Sequence, residues 1–161
     1  MKINHTEIFI KNWDSDKFIT INRGGSRSSK TRSLCQLALV WLLTGTYSSK
    51  RPAIKSGMMS IVRRFSATID STVMSDLEEE IEKQGVWGLI QKNIQKKTYK
   101  HGLRTIQFIG ADDQQKLRGR KQNILYCNEA NELGYDSEFF QLLLRTTDKI
   151  FIDFNPDDED I

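Results

Sequence analysis

The sequence predicts an α/β fold: a mostly parallel sheet flanked by helices on both faces. Three observations predict it. Short apolar runs of strand character alternate along the chain with longer segments of helical character. Glycines stand just past two of the helical segments, at Gly45 and Gly85, where a left-handed C-cap is needed. No internal repeat or low-complexity linker interrupts the alternation. Strands joined through helices run parallel and are covered on both sides.

The elements follow in order. Lys17–Asn22 (K-F-I-T-I-N) reads as a strand, then a Gly/Ser-rich turn, then an apolar helix over Thr31–Leu43 closed by Gly45. Met58–Arg63 reads as a second strand. Ile69, Val73, Leu77 and Ile81 recur every four residues, one face of an amphipathic helix that stops at Gly85. Ile94–Tyr99 and Leu103–Ile109 flank Lys100-His101-Gly102 and read as a hairpin. Ile124–Cys127 is a short buried strand, Ser137–Arg145 a helix and Lys149–Phe154 a last strand. In such a sheet, functional residues collect at the carboxyl ends of the strands.

The 161 residues suffice for one domain with a real core, and 38% hydrophobic with 28% charged residues is a globular balance. The longest apolar stretch, Leu34–Leu43, is too short to cross a bilayer, and no basic segment followed by an apolar run opens the chain. These features predict a cytosolic protein with no membrane partner. Cys35 and Cys127 sit inside apolar runs and read as small buried hydrophobes. His5 and His101 have no Cys partners at ligand spacing, so no zinc site is expected. A formal charge of +3 permits contact with nucleic acid through a local patch without arguing for it.

Gly24-Gly25-Ser26-Arg27-Ser28-Ser29-Lys30-Thr31 follows a strand and opens a helix. It matches the phosphate-loop pattern at Gly24, Lys30 and Thr31, with Ser29 in the place of the second glycine. Small residues let backbone N–H groups curl round phosphates, the lysine neutralises β/γ charge, and the hydroxyl reaches Mg²⁺. Ser29 is at a disadvantage if its backbone takes φ > 0. Arg27 is a candidate charge stabiliser at the γ-phosphate.

Ile124-Leu125-Tyr126-Cys127-Asn128-Glu129 is an apolar strand ending in a polar–acidic pair, the pattern of the second nucleotide motif. Glu129 is the candidate general base. Asn128 stands where an acid normally supports Mg²⁺; its amide oxygen is expected to reach a metal-bound water, leaving the cation mainly to Thr31 and the phosphates. Phe151-Ile152-Asp153-Phe154-Asn155-Pro156 ends another strand, and Asn155 is a candidate to hold the attacking water or sense the γ-phosphate.

Together with S-I-V-R-R before the amphipathic helix and I-Q-F-I-G-A-D-D-Q-Q-K-L-R-G running on from the second hairpin strand, these motifs resemble the large terminase family of tailed phages, from about Phe18 to Pro156. The resemblance implies a RecA-like P-loop ATPase core that hydrolyses ATP with Mg²⁺ to drive viral double-stranded DNA into the procapsid. It implies that Lys30 and Thr31 bind phosphates and Mg²⁺, that Glu129 is catalytic, and that Asn155 couples hydrolysis to movement. Arg27 takes the family's loop arginine role, and Arg118 and Arg120 are candidates for an arginine offered to a neighbouring subunit. Portal protein and the small terminase subunit are the implied partners, a ring on the procapsid the implied assembly, and the host cytoplasm the implied location. Family members continue into an RNase H-like nuclease, so residues 1–161 are expected to form an ATPase domain with 157–161 opening a linker. Lys92, Lys96, Lys97, Lys100, Arg104, Lys116, Arg118, Arg120 and Lys121 are the basic residues available to DNA phosphates. Two alternatives stay open: another nucleic-acid-dependent P-loop ATPase of helicase or recombinase type, and a nucleotide- or DNA-binding module without turnover.

Overall fold

The computed structural model describes residues 5–25, 29–134 and 137–156. Seven strands form one sheet in the order β1-β7-β6-β2-β5-β4-β3. The strands are β1 (Ile19–Arg23), β2 (Gly57–Arg63), β3 (Gln91–Asn93), β4 (Thr98–His101), β5 (Arg104–Gly110), β6 (Gln122–Cys127) and β7 (Thr146–Phe154). The first five in spatial order, β1 to β5, are mutually parallel; β4 and β3 extend the sheet as antiparallel strands.

Register places the carboxyl ends of the parallel strands along one edge. Arg23 is opposite Phe154, Cys127 opposite Ile152, and Arg63 opposite Gly110. Residues following each strand therefore meet at that edge.

One face of the sheet is covered by α1 (Glu7–Trp13), α2 (Lys30–Thr44) and α4 (Val73–Gln84). The buried cluster there joins Phe9, Leu37, Trp41, Leu77 and Ile81 to Ile61, Phe108, Tyr126 and Phe151 of the strands. The other face carries Val62, Ile109, Leu125, Cys127 and Ile150, packed against Leu117 of α5 (Gln114–Leu117) and Leu142 of α6 (Ser137–Leu144). The alternating side chains of the strands supply both clusters, which is why these strands read as nearly continuous apolar runs.

Helix termini follow the expected chemistry. Gly45 ends α2 at φ 82° and Gly85 ends α4 at φ 64°, both left-handed. Arg104 closes the end of α2 as well, donating to the Leu42, Leu43 and Lys55 carbonyls at 2.8 to 3.0 Å. The single helix expected from Ile69 to Ile81 is broken: Ile69 ends a short α3 (Ser66–Ile69), and α4 begins at Val73. The I-G-A-D-D motif is structural. Gly110 lets the start of α3 approach, since a Cβ there would stand 2.5 Å from Ser66 N. Asp112 accepts from Ser66 N at 3.0 Å, and Asp113 caps α5 through Lys116 N at 3.2 Å.

The hairpin differs from the expected one. Its turn is Gly102-Leu103, and an additional strand β3 pairs with β4. Ile94, expected in a strand, lies in the β3–β4 turn with 76% of its surface exposed. That turn is set by Asn93, whose side-chain oxygen accepts from Lys96 N at 2.9 Å, and by Lys97 at φ 53°. Among the described residues no helix is long and apolar enough to cross a membrane. Cys35 and Cys127 are free and buried, and burial raises both thiols above their ordinary range.

Candidate active site

β1 delivers the chain directly to the phosphate loop. Gly24 N donates to Phe154 O of neighbouring β7 at 3.4 Å. Ser29 then takes φ 64°, the left-handed conformation that a glycine would adopt without strain, and α2 begins at Lys30. Lys30 is buried, and its ammonium donates to the Gly24 carbonyl and to the Gly25 carbonyl at 2.9 Å. The first turn of α2 holds no acidic residue, so the positive end of a fifteen-residue helix opens on the loop. Ser26, Arg27 and Ser28 lie outside the described residues, and so does the linker expected at 157–161.

The ends of β6 and β7 meet beneath α2. Asn128 is fully buried. Its amide oxygen accepts from Arg63 Nη1 at 2.8 Å; its NH₂ donates to Asp153 Oδ2 at 3.1 Å, Tyr126 Oη at 3.1 Å and Thr31 Oγ1 at 3.3 Å. These neighbours fix the amide orientation. Reversed, it would set NH₂ against a guanidinium and oxygen against a carboxylate. The expectation that the oxygen faces a metal-bound water beside Thr31 is therefore corrected: the nitrogen faces Thr31.

Asp153 is the carboxylate that sequence reasoning passed over. It is 1% exposed, with Oδ1 accepting from Glu129 N at 2.7 Å and Oδ2 from the Tyr126 hydroxyl. Burial raises its pKa from the ordinary carboxylate range, against the opposing pull of those hydrogen bonds and of Lys30. A signal existed in the sequence: an ionisable side chain inside the apolar run I-F-I-D-F is rarely buried without a task.

Glu129 follows at φ 49°, a left-handed conformation uncommon for a residue with a long side chain. Its carboxylate is half-buried and pairs with Arg63 Nη2 at 3.2 Å. Arg63, the last residue of β2, thus holds both members of the Asn128-Glu129 pair. Burial, then a hydrogen bond that its protonated form donates to Glu129, pushes the neighbouring Glu132 carboxyl up. Asp76 of α4 is raised chiefly by burial.

One cavity of about 230 Å³ collects these groups. Ser29, Lys30, Thr31, Glu129, Asp153 and Asn155 line it, with Arg32, Asp76 and Phe154 at its walls. Residues 29–31, Glu129 and Asn155, taken from the three segments singled out in the sequence, thus face one cavity. A family model described as phage terminase large subunit matches residues 16–161.

The chain belongs to the phage terminase large subunit family.

No curated protein matches the terminase chain by sequence. Solved structures show the same fold at low identity. The large terminase of a thermophilic bacteriophage is 13% identical with a TM-score of 0.75, over 94% of this chain and 39% of that one. Its complex with ATP-γ-S is 13% identical with a TM-score of 0.72, over 93% of this chain and 38% of that one. A Thermus phage large terminase ATPase domain is 13% identical with a TM-score of 0.67, over 92% and 64% of the two chains. The terminase chain described here therefore spans about two-fifths of the first of these proteins.

The two arginine candidates for a neighbouring subunit differ. Arg120 is committed within the terminase chain, donating to Gln107 and to the Lys116 carbonyl, and burial lowers its pKa. Arg118 is exposed at the end of α5, beside Gly119 at φ 68°. Of the basic residues named for DNA, Arg104 caps α2, Lys92 pairs with Glu78 and Lys97 with Asp70. Lys96, Lys100, Lys116, Arg118 and Lys121 remain exposed.

Proposed function

We propose that this terminase domain binds and hydrolyses ATP and that hydrolysis drives double-stranded viral DNA into a procapsid. The observation that carries the reading is the single cavity shared by Lys30, Thr31, Glu129 and Asn155 at the carboxyl edge of the sheet. The complex of a terminase of the same fold with ATP-γ-S supports it.

The residues divide the work. Loop amides, the positive end of α2 and Lys30 receive the phosphates, with Arg27 added from the loop. To receive them, Lys30 exchanges the Gly24 and Gly25 carbonyls for phosphate oxygens. Glu129 orients a water and takes its proton as it attacks the γ-phosphate, while Arg63 restrains the carboxylate from behind. Asn155 senses departure of the γ-phosphate.

The donor set beside Thr31 is a hydroxyl and a carboxylate, hard oxygens suited to Mg²⁺. Among the described residues no cluster of three or more His, Cys, Asp or Glu could hold a metal alone. That fits a cation that arrives with the nucleotide phosphates and neutralises charge on them.

Partners follow from the family. Exposed Lys96, Lys100, Lys116 and Lys121 are the residues available to DNA phosphates, a contact that weakens as salt rises. Arg118 is the arginine placed to reach a neighbouring subunit in a ring on the portal, with the small subunit presenting DNA. The host cytoplasm is where such a machine works. The test is phosphate release by wild type, Lys30→Ala and Glu129→Ala, with and without duplex DNA. Wild type is expected to turn over and Glu129→Ala to fall at least about a hundredfold. Equal rates in wild type and Glu129→Ala would remove the catalytic assignment and leave a nucleotide-binding module.

A further inference from the structure

An acidic strand end is missing where the nucleotide site needs one. β6 ends in Asn128 rather than an acid, and Arg63 and Asp153 fix that amide with its NH₂ toward Thr31. An NH₂ group cannot accept a hydrogen bond from a cation-bound water, and it carries no charge to attract the cation. Whatever supports a cation beside Thr31 must come from another element.

The neighbouring strand supplies it. β6 and β7 are parallel, with Cys127 opposite Ile152, so Asn128 and Asp153 are the next pair along the register. Asp153 lies against the amide nitrogen that also touches the Thr31 hydroxyl, and it lines the same cavity. Its carboxylate is held by three donors from three residues: the Tyr126 hydroxyl, the Asn128 amide and the Glu129 backbone. With Asn128 Nδ2 also 3.4 Å from Oδ1, these donors lie against both oxygens and hold the carboxylate at the wall of the cavity that Thr31 also lines. Such oriented carboxylates are what outer-shell support of a metal requires.

We infer that Asp153, at the end of β7, is the carboxylate that supports the nucleotide-borne divalent cation beside Thr31, the acid and the amide having exchanged places between adjacent strands. The inference rests on the ATP-site reading above and adds the residue on which its Mg²⁺ dependence turns. It also accounts for Tyr126, whose buried hydroxyl has Asp153 as its acceptor.

The experiment measures ADP affinity by calorimetry, in EDTA and at saturating Mg²⁺, together with Mn²⁺ binding to the ADP complex by electron paramagnetic resonance. Wild type is expected to bind ADP more tightly with Mg²⁺. Asp153→Asn is expected to keep its EDTA affinity and lose about ten- to a hundredfold in divalent affinity, the usual effect of removing an outer-shell partner. Asp153→Ser, whose small hydroxyl avoids setting a second NH₂ against Asn128, serves if Asp153→Asn does not fold. The exchange variant Asn128→Asp/Asp153→Asn returns the acid to β6, beside Arg63, and is expected to recover divalent affinity to within about threefold of wild type. A folded Asp153 variant with wild-type divalent affinity overturns the inference, as does a folded exchange variant that fails to recover. Absence of ADP binding by wild type, or binding indifferent to Lys30→Ala, overturns the ATP-site reading along with it.

Discussion

Replacing Arg63 by methionine tests whether one guanidinium organises the end of β6. Arg63 Nη1 reaches the Asn128 oxygen at 2.8 Å and Nη2 the Glu129 carboxylate at 3.2 Å, with the Arg63 side chain 13% and that of Glu129 37% exposed. Loss of the first bond leaves a fully buried amide oxygen without its donor, a cost of about 1–3 kcal/mol. The ion pair to half-exposed Glu129 is screened and adds at most about 1 kcal/mol. Against these, Arg63 Nε is buried without a hydrogen-bond partner among the described residues, so removing it returns about 1 kcal/mol. The net expectation for Arg63→Met is destabilisation by about 2 kcal/mol, or a fall in Tm of roughly 4–8 °C for a chain of this size. Urea unfolding with an unchanged m-value is the assay. A double-mutant cycle with Asn128→Ala should give a coupling of about 1 kcal/mol or more, because the two side chains share one bond. Phosphate release should fall by on the order of ten- to a hundredfold with KM little changed, since Glu129 loses its restraint while the phosphate loop is untouched. Stability within about 0.5 kcal/mol of wild type, or no coupling in the cycle, would refute the reasoning.

Other expectations follow from single features. Lys149 is fully buried, donating to the Lys17 carbonyl at 2.6 Å, and burial with help from Arg51 depresses its pKa to about 8. The unfolded chain therefore binds the extra proton between about pH 8 and pH 10.5, and the wild-type stability minus that of Lys149→Met should rise across that window, by at most about 3 kcal/mol. Urea titrations at pH 7.5, 9 and 10.5 check it, and a flat or falling difference would contradict the burial of a charged lysine. Gly110→Ala should cost about 2–3 kcal/mol in urea unfolding, since the new methyl meets the Ser66 backbone at 2.5 Å as well as the Ser66 and Asp112 side chains. A neutral result would mean that α3 is not held against β5. At Ser29, φ 64° makes glycine nearly neutral, because about 1 kcal/mol of relieved strain offsets its extra unfolded-state entropy. Ser29→Val should be destabilised by about 1–2 kcal/mol in the same urea unfolding, and the opposite ranking would deny the left-handed loop.

Much of this architecture was legible because its central strands are buried on both sides and α2 and α4 end in glycine. Ile19–Arg23, Gly57–Arg63 and Lys30–Thr44 fall within two residues of their expected bounds. Errors arose where a side chain outside the apolar pattern decided the backbone. Asn93 turns the chain at Ile94, whose apolar character suggested a strand. Helix α1 buries little beyond Phe9 and Asn12, too few positions to show a period, although Thr6 caps it at 3.0 Å through Phe9 N. Lys30, Thr31, Glu129 and Asn155, which line one cavity, could be singled out from local motifs because they fall on three short segments that each follow a strand. Arg63 and Asp153 act across strands on residues distant in sequence, and only the register β2–β6–β7 reveals their partners.

That register has a mechanical side. Arg63, Asn128 and Asp153 lace three strand tips together, and the last stitch runs from Asp153 Oδ1 to Glu129 N at 2.7 Å. Glu129 is held there in a backbone twist it would relax from if released. A tug on β7 would thus arrive first at the peptide bond that aims the Glu129 carboxylate, so β7 doubles as a tether on that side chain.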